Sequence, residues 1–345
     1  MSPPMHRYHF GDKILACAFP LPSLRPAPAT ATASLHISAP TTVECLAEPD
    51  QSWHQWQNRH GDTLLRLAPG EPTNGRSEAS RTYLLQFSGL CELRLDPAHG
   101  SIAITRLPGT DAAAIEHLLI DLALPCLLAE LGELVVHAGC VTLGSGCVLF
   151  LGQSGWGKST LTSLLRRHGH APLSDDCMQL AVRGDQVLAM PTYPGLRLFD
   201  DSVEQTFEQT PAQSPVAHYT RKQRIRLEAH ATHPEDPFPV RALYLLNDPA
   251  QPATDISIEP VSDPATCMAL ITHGFRLDLR SRRSHASFMQ QAAETARRLP
   301  AFALRYPRDF AQAERLIAEL TRHFAALPAP DDARATDAPP AREQR

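Results

Sequence analysis

Short segments in which hydrophobic and polar residues alternate fill the first third of the chain, and this pattern predicts strands. Loops rich in Pro, Ala and Thr separate these segments. A helix is predicted next, over 111–131, because Ile115, Leu118 and Leu122 recur at helical spacing. Thr110 is its predicted N-cap. The strands are predicted at 13–19, 63–67, 82–88, 91–95 and 101–107.

From position 134 onwards, short apolar segments separated by tight turns predict a mixed or antiparallel sheet. The turn Gly144-Ser145-Gly146 joins two such segments, so they are predicted to be antiparallel neighbours. A second hairpin is predicted around Arg183-Gly184-Asp185. The chain then continues through a strand at 241–246 and helices at 264–274, 284–299 and 307–327.

Composition and charge narrow the class of protein. The 345 residues, 43% of them hydrophobic, are enough for two domains, and a formal charge of −5 provides no general attraction to nucleic acid or anionic membranes. The eight cysteines form no C-x-x-C pair and the polar N-terminus resembles no signal peptide, which predicts reduced thiols and a cytoplasmic location. The apolar stretch 115–131 contains Glu116, His117 and Asp121, so no membrane span is predicted.

The segment 152–160 follows an apolar strand, precedes a helical pattern and fits the phosphate-loop motif G-x-x-x-x-G-K-[ST]. Its glycines allow consecutive backbone amides to surround a phosphate chain at a helix N-terminus. Lys158 adds a positive charge for the β- and γ-phosphates, and the Ser159 hydroxyl is a ligand for Mg²⁺. The residues predicted to bind a nucleoside triphosphate are Gly152, Gln153, Ser154, Gly155, Trp156, Gly157, Lys158, Ser159 and Thr160.

The pair Asp175-Asp176 is separated from Ser159 by a single predicted helix, so a strand returning beside the loop would bring both carboxylates to the γ-phosphate. Such a pair can supply a metal ligand and a base. His137, on a neighbouring predicted strand, can orient or tune a carboxylate such as Asp175, although a core histidine with satisfied hydrogen bonds is the alternative.

Three basic residues are candidates for holding phosphate or acceptor charge. Arg197 follows a Pro-Gly turn, which favours a functional role. Lys222 and Arg224 lie in a basic segment for which a solvated loop is the alternative.

The segment His137-Ala138-Gly139, the loop 152–159 and the segment Leu173-Ser174-Asp175-Asp176 occur in an order and spacing that resemble the catalytic domain of the HPr serine kinase/phosphorylase family. Related kinases phosphorylate precursor peptides. The resemblance implies a mixed sheet like that of phosphoenolpyruvate carboxykinase, and ATP- and Mg²⁺-dependent transfer to a serine hydroxyl of a protein or peptide.

The resemblance also implies roles for individual residues. Lys158 and the loop amides would bind ATP. Ser159 and Asp176 would hold Mg²⁺, and Asp175, assisted by His137, would be the base. The chain has Ala138 and Thr160 where that family usually has Gly and Glu, which disfavours HPr itself as the acceptor and disfavours phosphorylase activity.

The sequence therefore predicts an α/β (α+β) protein with a β-rich recognition or scaffold domain over 1–108, a P-loop kinase domain over 109–327 and a disordered tail over 328–345. The predicted partners are ATP and a protein or peptide acceptor, with neither nucleic acid nor membrane, and homo-oligomerisation is left open. Two other functions are alternatives: a nucleotide-binding regulatory or assembly protein without transfer activity, and a small-molecule kinase on the same scaffold. The carboxylate pair with His137 favours a kinase, because a conformational switch needs metal ligation but no base.

Overall fold

In the computed structural model, mixed β-sheets pack against helices, which confirms the mixed α/β class predicted from the sequence. The predicted tail beyond residue 328 lies outside the described part of the chain. The structure describes residues 4–48, 54–57, 63–72, 81–193, 195–207, 213–216, 222–226, 237–277 and 282–328.

The N-terminal strands form one mixed sheet. Their bounds are β1 (His6–Phe10), β2 (Lys13–Cys17), β3 (Leu35–Ile37), β4 (Thr41–Thr42), β5 (His54–Gln57), β6 (Thr63–Pro72), β7 (Arg81–Phe87), β8 (Cys91–Asp96) and β9 (Ser101–Arg106). The strand order is β1-β2-β3-β9-β8-β7-β6-β5, with β4 also beside β9. β3 lies parallel to both β2 and β9, whereas the predicted hairpin of β8 and β9 is antiparallel. The alternating pattern located β2, β6, β7, β8 and β9 but missed β1, β3, β4 and β5. It also could not show that β3 connects β1 and β2 to the same sheet through parallel pairing with β2 and β9.

The predicted helix over 111–131 contains an irregular turn. Helices α1 (Ala112–Leu118) and α2 (Leu124–Glu130) are joined by a π-helical turn, Leu119–Ala123. Asp111, and not the predicted Thr110, caps α1, because its side chain accepts a hydrogen bond from the amide of Ala113. The hydroxyl of Thr110 instead donates to the carbonyl of Leu90 at 2.8 Å.

The α1–α2 segment packs on the N-terminal sheet. Its side chains Ile115, Leu119 and Leu127 are buried in one core with Leu35 and Leu93 of that sheet. By length and composition the segment 112–130 is long and apolar enough to cross a membrane, but 67% of that window is buried inside the structure. Such burial is typical of a core helix.

The remaining elements build a second mixed sheet, a small third sheet and the helices around them. In chain order they are β10 (Leu134–Val136), β11 (Ala138–Leu143), β12 (Gly146–Leu151), α3 (Lys158–Arg167), β13 (Pro172–Ser174), β14 (Met178–Arg183), β15 (Gln186–Pro191), β16 (Gly195–Leu198), α4 (Asp200–Thr206), β17 (Gln213–Pro215), β18 (Gln223–Arg226), β19 (Phe238–Leu246), β20 (Ser257–Val261), α5 (Asp263–Thr272), α6 (Arg282–Arg298), β21 (Ala301–Arg305) and α7 (Ala313–Ala325).

The second sheet places the loop after β12 near its centre. Its order is β10-β14-β15-β19-β12-β11-β13, with β21 beside β19 and β20 beside β21. The predicted antiparallel pairing across the Gly144–Gly146 turn is confirmed, with Ala138 opposite Leu151. On its other side β12 runs parallel to β19, as β19 does to β21. β12 is therefore an interior strand, buried along its length, and its C-terminal end is fixed from both sides.

Two details near the C-terminus differ from the prediction. The segment between α6 and α7 forms β21, whereas the sequence pattern predicts no strand there. α7 begins at Ala313 and not near position 307, because Asp309 caps a 3-10 turn that precedes it. Both differences matter for the site, since the loop between β21 and α7 lies beside α3.

Candidate active site at the N-terminus of α3

The loop 152–157 joins β12 to α3 in the strand–loop–helix order that the motif predicts. Gly155 and Gly157 have φ values of 83° and 85°, in the left-handed region that favours glycine. Gly157 is the N-cap residue of α3, and a side chain there would collide with Arg308. The loop between these glycines and β12 is exposed at positions 153–155. This exposed loop thus lies at the positive end of a helix.

Lys158 lies beneath this loop. Its side chain is almost fully buried, and the ammonium donates to the carbonyls of Gly152 at 2.7 Å and Gln153 at 3.1 Å. Burial lowers the pKa of Lys158 to about 8, although the neighbouring carboxylates of Asp176 and Asp175 oppose this shift. The charge is therefore held in place next to the loop and the carboxylate pair.

Asp175 lies immediately after β13 and is fully buried. One carboxylate oxygen accepts a hydrogen bond from the Ser159 hydroxyl at 2.9 Å, and the other accepts from the amide of Arg197 at 3.0 Å. Burial, followed by the charge of Asp176, raises the pKa of Asp175 to about 7. Both oxygens are thus engaged with groups of the protein.

Asp176 faces a different set of partners. Its φ is 73°, a left-handed conformation that no other described non-glycine residue adopts. Nδ1 of His137 donates to the backbone carbonyl of Asp176 at 2.8 Å, and Nε2 lies 3.7 Å from Oδ1 of its carboxylate. Burial raises the pKa of Asp176, but the charges of Lys222 and His137 outweigh it and hold the pKa well below its usual range.

This geometry reverses the pairing that the resemblance implies. Ser159 was expected beside Asp176, and His137 was expected to assist Asp175. In the structure Ser159 contacts Asp175, and His137 contacts Asp176. The physical reason is the left-handed turn at Asp176, which directs two adjacent carboxylates towards opposite partners.

Arg197, a candidate for nucleotide binding, is buried at 1% exposure. It contacts Asp121, lies 3.4 Å from Oδ2 of Asp176 and stacks over the ring of Tyr193 at 4.3 Å. Its charge therefore acts on Asp176, and Asp121 in turn holds Arg197.

Asp121 was not predicted as a site residue. It lies in the π-helical turn, and its other oxygen is 2.5 Å from Nδ1 of His117, one helical turn earlier. From the sequence it is notable only as an interruption of an apolar stretch. The available signal was the spacing of His117 and Asp121, four positions apart in a mostly apolar helix.

The two other basic candidates are used differently from each other. The guanidinium of Arg224 is buried and pairs with Oε2 of Glu116 at 2.8 Å, so it links β18 to α1 and is not available for phosphate. Lys222 acts on the site through its charge, which lowers the pKa of Asp176. The Thr160 hydroxyl, predicted to assist phosphate binding, lies 3.2 Å from that of Ser202.

The backbone around His137 brings His273 to the site, a second residue that was not predicted. The amide of His137 donates to the carbonyl of His273 at 2.7 Å. The imidazole of His273 meets the ring of Trp156 edge to face, with centroids 6.4 Å apart. Burial, followed by the charges of Lys158 and His137, lowers the pKa of His273 to about 4.

Comparison with known proteins shows a distant likeness to a solved structure. No protein-family model matches the chain, and no curated protein matches it. Among solved structures, the chain is similar to the HPr(Ser) kinase/phosphatase from Coxiella burnetii at 13% sequence identity and a TM-score of 0.28. That match covers 55% of this chain and 95% of the other. A TM-score of this size does not establish a common fold, so function is inferred from the geometry of the site itself.

The donor groups of the described residues fit a metal ion that is shared with substrate phosphates, and do not fit one that is held by protein side chains alone. Among the described residues, no cluster of three or more His, Cys, Asp or Glu side chains could hold a metal ion by itself. Mg²⁺ is usually bound by one or two carboxylates together with water and substrate phosphates. The Ser159 hydroxyl and the Asp175 carboxylate, already in contact beneath the loop, are a donor set of that kind.

Proposed function

We propose that this protein is a kinase that uses Mg²⁺ and ATP and transfers the γ-phosphoryl group to a hydroxyl group of a protein or peptide. The sequence resemblance favours a serine hydroxyl. The observation that supports this most strongly is the meeting of three kinds of group at the N-terminus of α3. An exposed loop with Lys158, a hydroxyl–carboxylate pair and a carboxylate beside an imidazole lie together. Phosphoryl transfer requires a phosphate cradle, a metal ligand and a group that positions the acceptor.

The phosphate cradle is the loop with Lys158. Backbone amides at a helix N-terminus and a lysine ammonium provide the two kinds of attraction that a triphosphate requires. The ammonium of Lys158 donates to carbonyls of the same loop, so it lies within reach of an anion bound there.

The metal pair is Ser159 with Asp175, which exchanges the roles that the resemblance implies for the two aspartates. Both atoms are in contact beneath the loop. Both carboxylate oxygens of the fully buried Asp175 already accept hydrogen bonds from the protein, whereas the Asp176 side chain is 12% exposed. Mg²⁺ held by this pair would supply positive charge that neutralises the negative charge developing on the phosphates during transfer.

The base is Asp176, assisted by His137. Because a carbonyl oxygen can only accept, Nδ1 of His137 carries the hydrogen, and in the neutral ring Nε2 is an acceptor. Nε2 and Oδ1 of Asp176 therefore both present lone pairs to one region. A hydroxyl group that enters this region can donate to the carboxylate while the imidazole stays close to the same proton.

In the proposed step the acceptor oxygen forms a bond to the γ-phosphorus, and the bond from that phosphorus to the bridging oxygen breaks. ADP leaves with the electron pair of the broken bond. The hydroxyl proton passes to the carboxylate of Asp176. Arg197 keeps this carboxylate oriented from the opposite side.

The exchange of roles is tested with Asp175→Asn and Asp176→Asn, using Asp185→Asn in an exposed turn as the matched control. Transfer from γ-labelled ATP to proteins of an extract of its own cells is measured at increasing Mg²⁺. We expect Asp176→Asn to bind ATP normally but to transfer roughly 10²–10⁴-fold more slowly, the usual loss when a general base is removed. Asp175→Asn should raise the half-saturating Mg²⁺ concentration about tenfold or more.

Other outcomes would contradict this assignment. Transfer at the wild-type rate by Asp176→Asn would exclude this residue as the base. ATP binding without transfer by the wild-type protein would favour a nucleotide-binding regulatory protein, and transfer only to small metabolites in the extract would favour a small-molecule kinase.

A further inference from the structure

A cavity of about 180 Å³ lies beside the phosphate loop, between α3 and the segment that joins β21 to α7. Its floor is apolar and is formed by the buried side chains of Leu161, Leu164 and Leu316. Its rim carries the exposed residues Arg308, Asp309 and Phe310. An apolar recess with a few polar groups at its edge is the usual form of a small-molecule site.

The cavity is continuous with the phosphate loop. Gly157, the N-cap residue of α3, and Thr160, in its first turn, both line the cavity. Lys158 and Ser159 lie on the other side of the same turn. Lys158 is close to both aspartates there, and Ser159 contacts Asp175. Since these two residues serve the β- and γ-phosphates, the end of a nucleotide that carries the sugar and base must leave the loop on the side of Thr160.

The rim carries planar side chains on which a planar ligand can stack. The guanidinium of Arg308 stacks over the ring of Tyr306 at 4.1 Å and is fixed by donating to the carbonyl of Asn247 at 2.7 Å. Phe310 is exposed on the same rim. Nucleic-acid bases stack on aromatic rings and on arginine planes. Ser202 and Gln312 add polar groups that can meet the edge of a base.

We propose that this cavity is the nucleoside site, which takes the purine base and ribose of the nucleotide whose phosphates occupy the loop. The proposal rests on the proposed function, since it assigns the second half of the same ligand. It excludes the acceptor peptide from this recess and leaves that peptide the opposite, carboxylate side of the loop.

The test compares binding of ATP with binding of inorganic tripolyphosphate, both with Mg²⁺, by titration calorimetry. Tripolyphosphate has the same phosphate chain but neither base nor sugar. We expect the wild-type protein to bind both, with ATP bound at least tenfold more tightly. Ala313→Phe fills the cavity from the first residue of α7, so it should remove that tenfold preference and leave tripolyphosphate binding unchanged.

Two further variants make the result specific. Ala311→Phe adds the same ring at an exposed position that does not line the cavity, and it should retain the preference for ATP. Gln312→Trp fills the cavity from a different residue and should repeat the effect of Ala313→Phe if that variant is unstable.

The failures of the two proposals are distinguishable. If the wild-type protein binds neither ligand, the proposed function is wrong and this proposal falls with it. If it binds tripolyphosphate as tightly as ATP, or if both filling variants retain the preference for ATP, only the nucleoside site is wrong. If the filling variants keep the ATP preference but stop transfer, the cavity belongs to the acceptor.

Discussion

At the scale of single residues, the site depends on two adjacent carboxyl groups whose environments differ. Asp175 is fully buried, with its pKa raised to about 7, while nearby cations hold the pKa of Asp176 well below its usual range. Environments that push the pKa values of neighbouring groups apart are a common way to assign them separate tasks. Here the separation is achieved by one backbone angle, the φ of 73° at Asp176.

The sequence identifies these residues more readily than it identifies their partners. The loop and the Asp175-Asp176 pair are contiguous motifs whose chemistry is local. Which carboxylate meets Ser159 depends on the backbone conformation at Asp176 and on the amide of Arg197, twenty-two positions away from Asp175. Neither can be read from residue type alone.

A pH prediction concerns His273. Its pKa in the folded protein is about 4, below the usual 6.5, so between these values the unfolded chain binds more protons than the folded one. The folded protein is therefore expected to lose stability as the pH falls from about 6.5 towards 4. His273→Gln should flatten that decline in urea unfolding experiments at a series of pH values.

The control for this prediction is His36→Gln, at an exposed position of β3. It should leave the pH dependence as in the wild-type protein. An equally steep decline in the His273→Gln variant would show that other groups, such as His137, account for it.

At the scale of elements, the π-helical turn between α1 and α2 connects the N-terminal sheet to the site. Its Asp121 holds Arg197, which in turn faces Asp176. π-turns occur often at functional sites, where they change the direction of a side chain within a helix.

The periodicity of Ile115, Leu118 and Leu122 predicted the helix correctly, but periodicity contains no signal for a single wide turn. β21 was missed for a related reason, since its pairing with β19 is long-range.

Asp121→Asn tests this connection. It leaves the buried guanidinium of Arg197 with a weaker partner, and breaking a buried ion pair typically costs roughly 3–5 kcal/mol. We expect a loss of free energy of unfolding of that order in urea titrations, together with slower phosphoryl transfer at unchanged tripolyphosphate affinity.

Asp255→Asn is the matched control, because Asp255 pairs with Arg315 on the exposed surface. It is expected to leave the unfolding midpoint and the transfer rate unchanged. If Asp121→Asn behaves like this control, the chain from Asp121 to Asp176 has no role in positioning.

At the scale of the whole molecule, the N-terminal sheet and the site are joined by buried contacts. Cys177 and Tyr193, which flank the site, belong to the same core as the N-terminal sheet. Asp12 accepts a hydrogen bond from the side chain of Gln179 at 2.9 Å, and Glu116 accepts from the amide of Ser23 at 2.7 Å. A boundary at residue 108 would therefore separate α1 and α2 from the sheet on which they pack.

This packing predicts one cooperative unfolding transition for the described part of the chain. Leu35→Ala, in β3, should lower the free energy of unfolding by about 2–5 kcal/mol. It should shift the transition at the phosphate loop by the same amount as the transition of the whole fold. The loop is followed by fluorescence of Trp156 after Trp53→Phe and Trp56→Phe, and the fold by far-ultraviolet circular dichroism.

Separate transitions for the two signals would contradict this prediction and would support an independently folding kinase domain over 109–327. Met289→Ala, at an exposed position of α6, provides a control that should move neither transition.

The left-handed backbone at Asp176 has a practical consequence for finding the acceptor. Asn enters this conformation readily, whereas alanine is strained there by roughly 1–2 kcal/mol. Asp176→Asn is thus the substitution that removes the carboxylate charge and keeps the shape of the turn. This variant should still bind nucleotide and acceptor together but should not complete phosphoryl transfer, so it can be used to capture the acceptor. A polypeptide from a cell extract that the variant retains in the presence of ATP and releases when ATP is removed would be the natural acceptor.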